Sequence, residues 1–101
     1  MTEIAIRRAA IKDMEPVLDL WQEMMEYHAR QDQRLQPADD GCGHFRQVLQ
    51  SRMFDDEWRV LVAIANDTVV GFIAGHVAEN PPVLALRYHG FIADICVAPD
   101  S

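Results

Sequence analysis

The sequence predicts an α+β domain with a mostly antiparallel sheet, in the order β-α-α-β-β-β. Apolar residues in the first half recur at three- and four-residue spacing, the period of a helix with one buried side. From Trp58 onward, apolar residues form short runs rich in valine and isoleucine, which favours strands. Asn66-Asp67 joins two of these runs with turn-forming residues, so an antiparallel hairpin is expected. Helices and strands are segregated along the chain, which favours α+β over a parallel α/β layout.

The first strand and the first helix are predicted from local patterns. Ile4 to Arg8 alternate apolar and polar side chains, as a short strand does. A helix is predicted from about Asp13 to Ala29, with Asp13 as its N-cap and Pro16 in its first turn, where a missing N–H does little harm. Its apolar stripe is Val17, Leu20, Trp21, Met24 and His28, and its polar side is Glu15, Asp19, Gln22, Glu23 and Glu26.

A polar segment separates this helix from a second one. Residues 30–43 contain Pro37 and two glycines and are predicted to form a loop that is long enough to carry function. The helix that follows ends at the acidic run Asp55-Asp56-Glu57. Its apolar stripe is formed by Phe45, Val48, Leu49, Arg52 and Met53.

Three strands are predicted in the second half, over Trp58–Ala65, Thr68–Val77 and Tyr88–Val97. Gly71 and Gly75 lie inside the middle strand, where glycine indicates a bulge or a close approach of another backbone.

Composition and charge restrict the class of protein and its partners. The 101 residues are 50% hydrophobic and 25% charged, which is typical of one globular domain. Nine basic and sixteen acidic residues give a net charge of −7, so nucleic acid and anionic membrane are not expected partners. No apolar run has the length of a membrane span, and the opening Met1-Thr2-Glu3-Ile4 lacks the layout of a signal peptide. We therefore expect a cytoplasmic protein whose Cys42 and Cys96 are free thiols.

An ordered set of short segments resembles the N-terminal half of the GNAT superfamily of N-acetyltransferases (acyl-CoA N-acyltransferases). The segments are Ile6 to Ala10 with Asp13, Met25 to Ala29, Val70 to Ile73, Gly90 to Ile92, and Asp94 to Pro99. The register of the first helix and of Asp94 is similar to that of diamine and polyamine acetyltransferases. Residues 1–101 are therefore expected to be one partial domain of this fold.

The resemblance implies acetyl-CoA as the cosubstrate and a small-molecule or peptide amine as the acceptor. Backbone groups of Ile95, Cys96 and Val97 match the positions that hold the pantetheine arm and the acetyl group, and a free N–H there suits a developing oxyanion. A phosphate-binding loop and the general acid are expected only after Asp100-Ser101. We therefore expect the 101 residues alone to be inactive and to bind acetyl-CoA weakly.

The resemblance also implies which side chains are candidates for catalysis and acceptor binding. Asp94 is a candidate base that takes a proton from the acceptor, although an acidic residue in a strand is more often solvated or paired. Tyr27, His28 and Glu79 are candidate acceptor-binding residues, with a half-buried helix end and surface charge as the alternatives. Polyamine-type relatives carry an acidic residue at the position of His28, so His28 weakens the case for a polycation. The Cys96 thiol is expected to pack and not to react.

Two further expectations concern metal and association. Cys42, His44 and the other histidines show no metal-ligand spacing, so no metal is expected. The strand from Phe91 to Val97 sends apolar side chains to both faces of the sheet, which favours a homo-oligomer joined through this region. A non-catalytic module that oligomerises or binds a small ligand remains the alternative to an enzyme.

Overall fold

Two helices lie on one face of a four-stranded antiparallel sheet with the strand order β1-β2-β3-β4, which confirms the predicted class and element order. The computed structural model describes residues 3–99, so Met1, Thr2, Asp100 and Ser101 lie outside the described range. The elements are β1 (Ala5–Arg8), α1 (Met14–Gln31), α2 (Gly41–Met53), β2 (Trp58–Ala65), β3 (Thr68–Glu79) and β4 (Tyr88–Val97). Neither helix in this range is long and apolar enough to span a bilayer.

The predicted loop over residues 30–43 is shorter in the structure than in the sequence analysis. Helix α1 continues to Gln31, a single 3-10 turn covers Gln33–Leu35, and α2 already begins at Gly41. The Asp32 side chain accepts a hydrogen bond from the Arg34 N–H at 3.0 Å, which starts the 3-10 turn. The loop is thus an ordered connection between two helices.

Asp13 is the N-cap residue of α1, as predicted, but its side chain makes no capping hydrogen bond. The Asp13 carboxylate accepts two hydrogen bonds from Arg7, at 2.6 and 2.9 Å, and one from the Ala10 N–H at 2.7 Å. A guanidinium offers two parallel donors and a charge, and it therefore outcompetes a helical N–H. The Arg7 hydrogen bonds hold the pKa of the Asp13 carboxyl below its ordinary value, although burial alone would raise it. The pair joins β1 to the start of α1.

The hydrophobic core lies between the helices and the sheet. The Trp21 and Phe45 rings stack at a centroid distance of 4.8 Å and hold α1 against α2. Leu49, Val17 and Val62 are each 1% exposed, so both helices and β2 contribute to its centre. The buried apolar residues are Met14, Val17, Leu18, Leu20, Leu49, Val60, Val62, Phe72, Ala74 and Cys96.

The β2–β3 hairpin and the two strand glycines agree with the sequence. Asn66 and Asp67 have φ of 52° and 61°, as a two-residue hairpin turn requires. A Cβ on Gly71 would lie 3.0 Å from the Cys96 carbonyl oxygen, and one on Gly75 would lie 2.9 Å from the Phe91 carbonyl oxygen. The predicted close approach of a neighbouring backbone is therefore confirmed at both positions.

A β-bulge interrupts the pairing of β3 with β4. Ala74 pairs with Asp94, whereas Gly75 pairs with Ile92, so Ala93 is an extra residue on β4. The bulge lies beside Gly75, where an added Cβ would meet the Phe91 carbonyl oxygen. It bends β4 just before the segment from Ile95 onward.

The second face of the sheet is apolar and uncovered by the elements that the structure describes. We call it the open sheet face. Ile6 is 62% exposed, Ile95 61%, and Ile92 and Val97 60% each. The side chains of the open sheet face include Ile6, Leu61, Ala63, Ile73, Ile95 and Val97. The association expected through Phe91 to Val97 thus has an exposed surface available, and it stays a prediction.

Candidate functional site

A groove of about 370 Å³ separates the second half of α1 from the end of β4. We call it the β4 groove. Its wall on α1 is formed by Leu20, Glu23, Met24, Tyr27 and Arg30, and its other wall by Ile95, Cys96, Val97, Ala98 and Pro99. Strand β4 is the outermost of the four strands, so this part of its backbone is an edge.

Backbone groups of β4 point into the free space beside this edge. The Ala98 N–H donates to the Val70 carbonyl at 2.7 Å, and Cys96 pairs with Phe72. Backbone direction alternates along a strand, so Ile95 and Val97 turn their N–H and C=O groups away from β3. Of the three positions that the resemblance assigns to the acetyl group, two therefore offer free N–H donors at the edge. The backbone N–H of Cys96 points toward β3.

Cys96 lies in the wall of the β4 groove but its thiol faces the core. The side chain is 9% exposed, and Sγ donates to the Leu20 carbonyl at 3.6 Å. Burial raises the pKa of the Cys96 thiol, and the nearby Glu23 carboxylate raises it further. The thiol therefore stays protonated at neutral pH and serves packing.

Tyr27 lies in the β4 groove, whereas His28 is not among the lining residues. Tyr27 is 55% exposed, and the Arg30 guanidinium lies 5.9 Å from its ring centroid. The His28 ring meets the Tyr27 ring edge-on at 6.1 Å. The structure thus brings Tyr27, Ile95 and Val97 to one site.

Comparisons with known proteins add a fold-level match. No protein-family model and no curated protein matches the sequence. A mutant of the BH1408 protein from Bacillus halodurans matches the structure with a TM-score of 0.77 and 22% identity over 95% of this chain. A GCN5-related N-acetyltransferase from Ralstonia eutropha matches with a TM-score of 0.71 and 23% identity over 97% of this chain. A predicted acetyltransferase from Clostridium acetobutylicum, solved with acetyl-CoA, matches with a TM-score of 0.73 and 16% identity over 98% of this chain.

This chain has the fold of the GCN5-related N-acetyltransferases. It spans 62% of the Bacillus and Clostridium chains and 64% of the Ralstonia chain. The resemblance expected from the sequence is thereby confirmed at the level of the fold.

Within this acetyltransferase fold, Asp94 lies on the helix side of β4 and outside the β4 groove. Arg52 donates a hydrogen bond to its Oδ2 at 2.5 Å, and the two side chains are 21% and 25% exposed. The Arg52 guanidinium also stacks on Trp58, 4.1 Å from the ring centroid. The carboxylate thus has a structural partner, which was the alternative considered for it.

Glu79 lies at the opposite end of the sheet from the β4 groove. It pairs with Tyr88 at the start of β4, and it lines hollows with Asn80 and Arg87. Ten strand residues separate the two ends of β4, a distance of roughly 30 Å. Glu79 therefore does not join Tyr27 in one site within this chain.

Glu23 is a site residue that the sequence analysis placed on the polar side of α1. It lines the β4 groove one turn before Tyr27. The signal in the sequence is the four-residue step from Glu23 to Tyr27, which puts both on one helix face. That step did not stand out because five other acidic or amide side chains share the same helix.

Within residues 3–99, no three histidine, cysteine, aspartate or glutamate side chains come close enough to hold a metal ion. The chemistry available in the β4 groove is therefore that of backbone donors, a phenol and two charged groups.

Proposed function

We propose that these 101 residues form the acceptor side and the acetyl-binding strand of an N-acetyltransferase domain. The domain would transfer acetyl from acetyl-CoA to a primary amine. The observation that carries the proposal is the edge of β4, where Ile95 and Val97 turn free N–H groups toward the β4 groove. The fold shared with acetyltransferases supports it. Acetyl transfer belongs, in this proposal, to the larger domain, and the 101 residues are inactive alone.

The reaction is a direct attack by the amine on the thioester. The nitrogen lone pair forms a C–N bond to the acetyl carbon while the carbonyl oxygen becomes negative. The C–S bond then breaks, and the thiolate takes up the proton that the nitrogen loses. An N–H of Ile95 or Val97 stabilises the negative oxygen, and loss of one such donor typically costs on the order of 10²–10³ in rate.

Side chains of the chain have separate roles in this proposal. Tyr27 forms an aromatic wall for the acceptor, and Cys96 keeps β4 packed on α1. Asp94 takes, through water, the proton that an ammonium acceptor loses before the attack, and the second proton, lost after the C–N bond forms, goes to the thiolate. Water is needed because Asp94 does not itself line the β4 groove. His28 and Glu79 have no position in the β4 groove, so their roles rest on the sequence resemblance alone.

A small thioester tests the backbone site directly. S-acetyl-N-acetylcysteamine carries the thioester and the last amide of the pantetheine arm but no phosphate. In amide NMR spectra of the 101-residue protein, it should shift Ile95 and Val97 and leave the hairpin turn at Asn66 and Asp67 unchanged.

A proline variant removes one donor without breaking the sheet. The Val97 N–H points away from β3, so Val97→Pro deletes it and keeps the ladder bonds. Val97→Ala keeps the donor and is the matched control. Binding of the thioester should weaken in Val97→Pro or in the equivalent Ile95→Pro variant, and unchanged binding in both proline variants would contradict the proposal.

Acetyl-CoA itself should bind the 101-residue protein weakly or not at all. Its diphosphate meets a chain with a net charge of −7. Micromolar affinity in a calorimetric titration would overturn this expectation.

A second candidate function is a non-catalytic module that oligomerises. The exposed apolar side chains of the open sheet face, with Ile92, Ile95 and Val97 at about 60%, favour it. This alternative predicts a stable oligomer whose amide spectrum does not respond to the thioester.

A further inference from the structure

One carboxylate, that of Glu23, stands in the wall of the β4 groove that faces the backbone edge. Within the range that the structure describes, Glu23 takes part in no hydrogen bond and no ion pair. Burial and the Glu23 carboxylate together raise the pKa of the Cys96 thiol, so this charge acts on the end of β4. Glu23 is thus a charged group in the β4 groove without a partner.

Two other acidic residues on α1 have side-chain partners, whereas Asp19 has none within residues 3–99 but does not line the β4 groove. Glu15 pairs with Arg46 at 2.5 Å, and Glu26 accepts a hydrogen bond from Gln22 at 3.4 Å. Among residues 3–99, Arg30 is the only basic residue that lines the β4 groove, and its guanidinium lies over the Tyr27 ring and makes no ion pair with Glu23. The charge of Glu23 is therefore available to a ligand.

The surroundings of Glu23 suit a cation attached to a carbon chain. Leu20 and Met24 offer apolar surface beside it, and Tyr27 offers an aromatic face one turn further along α1. An ammonium group gains from a carboxylate and from an aromatic ring, and methylene groups gain from apolar contact. A neutral alcohol of the same chain length gains only the apolar contact of its methylene groups.

We propose that Glu23 is the specificity-determining residue that binds the acceptor as a primary alkylammonium ion and brings it to the edge of β4. This inference rests on the proposed acetyltransferase function. It names the acceptor class as alkyl amines that are protonated at neutral pH, as opposed to arylamines and alcohols. The ammonium group gives up one proton, through water, to the candidate base Asp94 before the nitrogen attacks, and Glu23 orients the ammonium ion until then.

The test uses n-butylammonium chloride as the probe and n-butanol as its neutral match, at constant ionic strength. Amide NMR titration of the 101-residue protein should show shifts at Glu23, Tyr27 and Val97 with butylammonium and weaker ones with butanol. Glu23→Gln should weaken butylammonium binding by about two- to fivefold, as loss of an exposed charge pair does. Glu26→Gln is the matched control on the same helix and should bind like the native chain.

The outcomes separate this inference from the proposed function. Glu23→Asp keeps the charge and should restore part of the affinity. Equal butylammonium binding by the native chain and Glu23→Gln, or equal binding of butanol and butylammonium, overturns the role of Glu23. S-acetyl-N-acetylcysteamine should bind the native chain and Glu23→Gln alike. If that thioester fails to shift β4 in either protein, the proposed function fails instead.

Discussion

Asp94 illustrates how one residue can carry two competing roles. Its ion pair with Arg52 ties β4 to the end of α2, and Arg52 is itself held by the Trp58 ring. A carboxylate that is paired with a guanidinium stabilises the fold, and a carboxylate beside an amine is also a candidate base. A pH profile separates these roles because a purely structural pair does not depend on the protonation of the acceptor.

Asp94→Asn should lower the rate most at low pH, in an acetyltransferase domain that contains this chain. Neutral amine is scarce there, so a group that removes the acceptor's proton matters most. Arg52→Gln breaks the pair and keeps the carboxylate, and it is the control. Profiles of kcat/KM against pH with the same shape in Asp94→Asn and the native domain would leave Asp94 a structural role only.

Asp13 supplies a pH dependence of stability. Its pKa is lowered in the folded chain by the Arg7 hydrogen bonds, so its contribution is complete above the ordinary aspartate pKa of about 3.9. That contribution is lost as the pH falls through the lower, folded value. Asp13→Asn should reduce the free energy of unfolding by about 2 kcal/mol at pH 7, as loss of a charged hydrogen-bond pair does.

Urea unfolding at pH 7 and near pH 3 checks this expectation. The difference between Asp13→Asn and the native chain should shrink at the lower pH. Asp32→Asn is the control, because the Asp32 pair with Arg34 is exposed and should matter little. A difference that stays constant with pH would show that the charge of Asp13 is not what stabilises the pair.

Side-chain partners were the part of the molecule least predictable from sequence. Asp13 fitted an N-cap by local rules, but Arg7 approaches it only once β1 lies beside α1. Arg52 and Asp94 are 42 residues apart, and nothing local signals their contact. The family resemblance pointed to Tyr27, Ile95 and Val97 as candidates. Glu23 became a candidate only through its position in the β4 groove.

At the scale of elements, the spacing of the apolar residues was sufficient to predict the order of the helices and strands. The bounds predicted for β2 and β4 are those observed, because each strand is a dense apolar run between turn residues. The segment over residues 30–43 was predicted less well, since its helical turns depend on packing and on Asp32 instead of an apolar period. The glycines gave the bulge region correctly but not the identity of Ala93 as the extra residue.

Gly75→Ala should destabilise the chain by about 1–3 kcal/mol, because the new Cβ would lie 2.9 Å from the Phe91 carbonyl oxygen. Neighbouring backbone cannot move aside as a flexible side chain would. Gly90→Ala on the facing strand is the matched control, because nothing lies within 4 Å of its Cβ position. Guanidinium unfolding of both variants decides the point, and equal losses of stability would refute the close approach.

At the scale of the whole molecule, the open sheet face is the surface through which we expect association. Ile95 and Val97 expose about 60% of their surface on the outermost strand, and the strand edge beside them is unpaired within the described range. We expect the 101-residue protein to form a homodimer or larger species through the region from Phe91 to Val97. Burying roughly 400 Å² of apolar surface per chain would favour association by about 10 kcal/mol before entropic costs.

Light scattering at tens of micromolar measures this association. Ile95→Glu places a charge on the open sheet face and should shift the protein toward monomer. Val83→Glu changes a loop residue that is 89% exposed and should leave the mass unchanged. A monomeric native protein that binds no hydrophobic dye would show that the surface needs no partner.

The bulge at Ala93 does not change which face of the sheet the residues before and after it occupy. Ile92 pairs with Gly75 and Asp94 with Ala74, so the residues on either side of Ala93 already alternate between the two faces. Deleting Ala93 would therefore leave Asp94 toward α2 and Ile95 toward the open sheet face, and it would change only the curvature of β4. The bending of this strand can thus be altered while every side chain keeps its side of the sheet.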